Sequence, residues 1–179
     1  MRHAPSCRRS KAPGVHPGSG QVSQGTRSYL VVGGATALLL GVRQQTVDID
    51  IKLDPEPKGV FEAIAILKNE LSVNVELASP DQFLPPLPGW ENRSEFIVRA
   101  GDVEFFHYDF YSQALAKLSR GHERDLSDVR AYLRLGKIRV SQLQSLFEEI
   151  IPGLARYPAI DSDTLISRVK GFCEENQNK

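Results

Sequence analysis

At 179 residues, with 22 Lys and Arg against 22 Asp and Glu, the chain is long enough to bury roughly 70% of its unfolded surface in one domain, so no disulfide or metal staple is required. Its two cysteines, Cys7 and Cys173, make neither a disulfide framework nor a zinc spacing, which points to a reducing compartment, the cytoplasm. No apolar run reaches the ~20 residues of a bilayer span, so no membrane association is expected. Six bases and no acid precede Asp48, leaving 16 bases against 22 acids in the other 132 residues, a balance that argues against an obligate nucleic-acid platform but not against local basic patches.

Residues 1–27, rich in Pro, Gly, Ser and Arg, have no apolar period and read as a disordered basic tail, either a start that is not the genuine N-terminus or a basic arm for nucleic acid. From Tyr29 the pattern becomes regular. Tyr29–Val32 predicts a buried strand, Gly33-Gly34 a turn, and Ala35–Leu40 a short helix ended by Gly41. Val47–Leu53 alternates as a strand until Pro55 and Pro57. Apolar residues at 60, 61, 64, 67 and 71 have helical spacing, and Val73–Leu77 reads as a third strand. The four prolines of 79–94 predict a loop, and Phe96–Arg99 with Val103–His107 a hairpin. Helices follow over Tyr111–Ser119, Arg124–Leu135, from a Ser141 cap to Ile150, and over 162–175. The expected division is a tail at 1–27, a core at 28–110 and a helical region at 111–179.

The chemistry concentrates in "YLVVGGATALLLGVRQQTVDIDI". On a strand, alternate residues share a face, so Val47, Ile49 and Ile51 are expected in the core while Asp48 and Asp50 project together from the other side. Two such carboxylates repel unless a cation lies between them, and Mg²⁺ prefers carboxylate oxygens. The glycines between a strand and a helix allow close backbone approach to an anion. Together they describe a site for a nucleoside triphosphate as its metal chelate. Taken singly, the Gly-Gly turn is also plain geometry, and the D-x-D also a solvated face. A dinucleotide site expects G-x-G-x-x-G and one acid about 20 residues on. Here the acids follow Gly34 by 14 and 16 positions.

This stretch resembles the signature of the DNA polymerase beta-type nucleotidyltransferase superfamily, a Gly-Gly or Gly-Ser turn followed by D-x-D. The form with Arg43, Thr46, Asp48 and Asp50 resembles the small bacterial branch that includes AbiEii-like toxins. "NVELASPDQFLPPLPGW", "FFHYDFYSQALAKLSRGHERDLSDVRAYL" and "RYPAID" resemble an uncharacterised bacterial nucleotidyltransferase-like family, so the likeness covers about 29–175. It implies an α+β fold, with a nucleotidyltransferase-like mixed β-sheet core flanked by helices and a helical C-terminal region. It also implies Mg²⁺ or Mn²⁺, a nucleoside triphosphate contacted at Gly33, Gly34, Arg43 and Thr46, and transfer of a nucleoside monophosphate to a hydroxyl of RNA, protein or a small molecule. A toxin–antitoxin role follows, with tRNA as a candidate acceptor and a cognate toxin or antitoxin protein as partner. The alternative is a catalytically inactive nucleotide-binding or protein-interaction module.

The superfamily's third carboxylate has two candidates. Glu76 alternates with Val75 and Leu77 and so projects beside Asn74; Asp109 is the runner-up, equally explained as a helix N-cap. Lys117 and Arg120 share one helix face, and Asp125 and Asp128 a face of the next. By resemblance Lys117 contacts triphosphate oxygens and Asp128 orients it or a metal. An interhelical salt-bridge network accounts for the same residues. Two departures from the family pattern are visible: no amphipathic segment precedes Tyr29, and Gly34 stands where many members have serine.

Overall fold

The structure is a computed structural model and describes residues 7–8 and 27–177. All but Cys7–Arg8 and Arg27 of the expected tail lie outside the described residues. Strand β1 (Cys7–Arg8) pairs antiparallel with β3 (Gln45–Thr46), so even the tail contributes one short ladder.

Strand β2 (Arg27–Val32) is the apolar run of the signature, beginning two residues earlier than its apolar pattern suggests. Leu30, Val31 and Val32 are all buried, as suits a strand with neighbours on both sides. Helix α1 (Gly33–Leu39) starts on the glycines themselves: the expected turn is the helix entry, with Gly33 at φ +63° after extended Val32. The chain returns as β4 (Asp48–Asp54), continues through α2 (Val60–Leu71) into β5 (Asn74–Leu77), and later adds the hairpin β6 (Glu95–Ala100) and β7 (Val103–His107). The five strands order as β5-β4-β2-β7-β6. β4 runs antiparallel to β2, β5 parallel to β4, and β7 parallel to β2, giving a mixed sheet. Edge-on ring contacts between Tyr29 and Phe105 and between Phe96 and Phe106 tie the strands together.

Two packing expectations fail here. Val47 precedes β4 and is 56% exposed, so it is not a core residue. The apolar stripe of α2 forms the helix but is not covered: Val60 is buried, whereas Phe61, Leu67 and Leu71 are 63%, 42% and 60% exposed. Helical periodicity says that one side is apolar and nothing about whether another element meets it.

The chain divides into two compact units. The first holds the strands above; the second comprises residues 80–93 and 109–179, so the proline-rich segment belongs with the helices and not with the sheet. That segment is partly ordered into a 3₁₀ turn (Pro80–Gln82) and α3 (Trp90–Arg93), with Leu84, Leu87 and Trp90 buried. Then come α4 (Phe110–Arg120), α5 (Glu123–Arg134), α6 (Val140–Ile150), a 3₁₀ segment (Ile151–Arg156) and α7 (Ser162–Asn176). Helix α6 starts at Val140, with Arg139 in the capping position and Ser141 inside the first turn, so Ser141 is not its cap. The core of this unit is Phe110 edge-on to Tyr132, with Leu115, Leu118, Val129, Leu143 and Leu165 all essentially inaccessible. Burying each such side chain contributes about 1.5–3 kcal/mol. Among the described residues no helix is long and apolar enough to cross a membrane.

Candidate nucleotidyltransferase site

The first unit gathers the signature around the start of α1. Register places Val32 opposite Asp50, Asp50 opposite Glu76, and Asp48 opposite Asn74. Residues opposite one another in a ladder share a face, so Asp48, Asp50, Asn74 and Glu76 project from one side of the sheet edge. Asp48 and Glu76 are exposed, and Asp50 and Asn74 half-buried. The Asn74 amide donates to Asp48 Oδ1 at 2.8 Å and to Glu76 Oε1 at 2.7 Å. Both of its hydrogens are thereby spent between two carboxylates that would otherwise repel.

The glycines fit against these strands. A Cβ at Gly33 would lie 2.6 Å from Asp50 Oδ2, and one at Gly34 would lie 2.5 Å from Thr46 Oγ1 and 3.0 Å from Arg43 Nη1. Real Cβ atoms essentially never show the two shorter contacts, so the Gly-Gly pair is what lets Asp50 and Thr46 close on the helix entry, with Arg43 tightly beside them. Thr46 Oγ1 in turn donates to the Asp48 carbonyl at 2.9 Å, which holds the start of β4 against the turn. Six of the residues expected at a nucleotide site (Gly33, Gly34, Arg43, Thr46, Asp48 and Asp50) therefore belong to one packed assembly.

The model of a family described as nucleotidyltransferase of unknown function (DUF6036) matches residues 20–158. The chain belongs to this family. No curated protein and no solved structure matches the chain. The matched region contains the whole Gly-Gly and D-x-D assembly of this DUF6036 chain and runs on through α6.

Asp48 and Asp50 share a face of β4, with Asp50 packed at Gly33, and their carboxylate oxygens are the donor type that a magnesium ion prefers. Among the described residues no three His, Cys, Asp or Glu side chains are grouped as a metal-ligand set. Glu76 shares the face of the aspartates, but Asn74 stands between it and Asp48.

Of the remaining residues of this DUF6036 chain, Asp109, Lys117, Arg120, Asp125 and Asp128 lie in the second unit. Lys117 is 2% exposed, and its ammonium donates to Asp128 Oδ2 at 2.6 Å and to Asp125 Oδ1 at 3.4 Å. Arg120 forks onto both oxygens of Asp125 at 2.9 Å. Burial pushes the Asp125 carboxyl up, but the hydrogen bonds and charges of Arg120 and Lys117 outweigh it and hold it below its ordinary value. Asp109 caps α4, accepting from the Tyr111 and Ser112 amides, and receives a two-pronged contact from Arg93 at 3.0 and 3.1 Å. His107 lies within the sheet, its Nδ1 3.4 Å from Thr36 Oγ1.

Two site residues carried no role in the sequence reading. Asn74 becomes visible only through the β4–β5 register, a long-range pairing. Lys52 is different: it continues the alternation of Asp48 and Asp50 on the same face of β4, and its ammonium lies 5.9 Å from the centre of the Tyr108 ring. The period-2 pattern already marked it.

Proposed function

We propose that the protein transfers a nucleoside monophosphate from a nucleoside triphosphate to an acceptor hydroxyl, with Asp48 and Asp50 holding Mg²⁺ or Mn²⁺. The observation that supports this reading is how closely β4 packs on the glycine turn: a Cβ at Gly33 would lie 2.6 Å from Asp50 Oδ2. The ion supplies charge neutralisation of the triphosphate and of the pyrophosphate leaving group.

The chain's own residues orient and neutralise. Gly33 and Gly34 keep the helix entry free of side chains, and Arg43, at Gly34, offers a guanidinium to phosphate oxygens. Thr46 fixes the start of β4, and Asn74 fixes Asp48 and Glu76 relative to each other. Glu76 is the nearest further carboxylate in the ladder and serves as the acceptor's base in this scheme. Lys117, held by two aspartates inside the helical unit, reads best as an organiser of α4 and α5 rather than as a phosphate ligand. An AbiEii-like toxin role, a cognate partner protein and tRNA as acceptor rest on resemblance alone.

One observation favours a second reading, a nucleotide-binding module without transfer: no third carboxylate is grouped with the aspartates among the described residues. Label transfer separates the two. Each α-labelled nucleoside triphosphate is incubated with the protein, Mg²⁺ or Mn²⁺, and total RNA and protein. Label moving to a macromolecule with the native chain, and not with Asp48→Asn/Asp50→Asn, establishes transfer. Metal-dependent nucleotide binding without transfer selects the module, and absence of both rejects the site.

A further inference from the structure

Residues 129–147 carry four cations, Arg130, Arg134, Lys137 and Arg139, and no acid. Arg130 and Arg134 are one helical turn apart on α5 and so share a face. Together with Arg139, just before α6, they line a cavity of about 760 Å³ bounded also by the last residues of α7. Its apolar surface comes from Leu133, Ile138 and Val140, and no carboxylate lines it among the described residues.

The three guanidiniums are only lightly engaged. Arg130 meets Glu123 at 3.2 Å, but that glutamate is 84% exposed, and so the pair is weak. Arg139 donates to the neutral Gln142 side chain at 3.2 Å, leaving its charge uncompensated. Arg134 is exposed and makes no ion pair among the described residues. Three like charges around one concavity repel each other, and a stability-driven surface would intersperse acids.

We propose that this cavity binds a nucleoside phosphate, presented either free or as the phosphorylated end of an oligonucleotide. Arginine forks match phosphate oxygens two at a time, which a lysine cluster would not do. The volume falls among those of small-ligand sites, about 300–1,000 Å³. The apolar floor suits a sugar and base better than inorganic phosphate alone. Binding here needs no divalent metal, in contrast to the Asp48–Asp50 site, and does not depend on that site being active.

The test is calorimetric titration of the full chain in EDTA with adenosine 5′-monophosphate, and with a short oligoribonucleotide bearing either a 5′-phosphate or a 5′-hydroxyl. Arg134→Gln/Arg139→Gln should weaken binding about tenfold for each guanidinium lost. Asp48→Asn/Asp50→Asn should leave it unchanged. Both arginines are exposed, so an unchanged thermal midpoint verifies the fold of the variant. Added salt should weaken binding as well. Comparable affinity for the monophosphate and the phosphorylated oligonucleotide assigns the site to a free nucleotide; preference for the phosphorylated over the hydroxyl oligonucleotide, with weak monophosphate binding, assigns it to an RNA end. No binding of any probe in EDTA, equal binding by the arginine variant, or equal binding of the two oligonucleotides without monophosphate binding overturns the proposal.

Discussion

Gly33 and Asp50 compete for one volume: a Cβ on the glycine would stand 2.6 Å from Asp50 Oδ2. The turn and the D-x-D strand are thus a single packed object, joined a second time where Gly34 meets Thr46 and Arg43. Whatever moves the helix entry moves the carboxylates.

Gly33→Ala therefore carries two penalties, and they can be separated. Its φ of +63° costs an alanine about 1–2 kcal/mol, and the methyl must also displace Asp50. Gly101, in the β6–β7 hairpin, has φ +60° and nothing within 4 Å of its Cβ position, so Gly101→Ala carries the strain alone. Thermal unfolding should show similar losses for the two variants, with Gly33→Ala somewhat lower. Metal-dependent nucleotide binding should fall only in Gly33→Ala. Equal binding by both variants would disconnect Asp50 from the ligand.

Gly34→Ala tests the second contact by a double-mutant cycle. The added methyl meets Thr46 Oγ1 at 2.5 Å, and Thr46→Ala removes that oxygen, leaving the Thr46 Cβ at 3.4 Å. The pair should be less destabilised than the sum of the singles, with a coupling of about 0.5–3 kcal/mol in denaturant titrations. Additive losses would mean that the turn relaxes independently of β3.

Asn74→Ala leaves Asp48 and Glu76 without the amide that spans them. In the proposed scheme Asn74 acts only through the two carboxylates it holds, so its removal should act through their orientation and lower metal-dependent nucleotide binding or transfer about 10–100-fold. Both partners are solvent-accessible, and the thermal midpoint should hardly change. Asp48→Asn and Asp50→Asn should go further, losing about a hundredfold or more.

Much of this is legible in the chain, for identifiable reasons. Alternation over Asp48–Asp54 has a period that only a strand satisfies, and that period alone puts the paired aspartates on one face. The order of strands and helices follows from Gly and Pro punctuation. What fails depends on partners. Phe61, Leu67 and Leu71 mark one side of α2 correctly, yet nothing in the described chain covers them. Asn74 needs the β4–β5 register to find Asp48. The Lys117 neighbourhood supports a phosphate contact and a salt-bridge network equally until the packing of α4 on α5 sets Asp125 and Asp128 at its ammonium.

That network yields a stability prediction. Removing Lys117 takes the ammonium from between two buried carboxylates, so Lys117→Met should cost about 3–5 kcal/mol. A compensated variant, Lys117→Met/Asp128→Leu, leaves Asp125 with Arg120 and should recover part of it. If Lys117→Met instead leaves the unfolding midpoint intact while abolishing nucleotide binding, Lys117 is a ligand contact after all.

The same cluster sets the acid limit. Asp125 is held below its ordinary value of 3.8 in the folded chain, so the unfolded chain binds more protons around that pH. Its contribution is fully present above about pH 4 and disappears as pH falls through the depressed folded value. Asp161, whose carboxylate accepts from the Thr164 amide and hydroxyl, is lowered as well and acts in the same direction. The thermal midpoint should therefore be flat near neutrality and drop in acid. Asp125→Asn should lower the plateau and flatten the drop, with the remaining slope belonging partly to Asp161. An acid limb of unchanged steepness in Asp125→Asn would place the titrating carboxylates elsewhere in the fold.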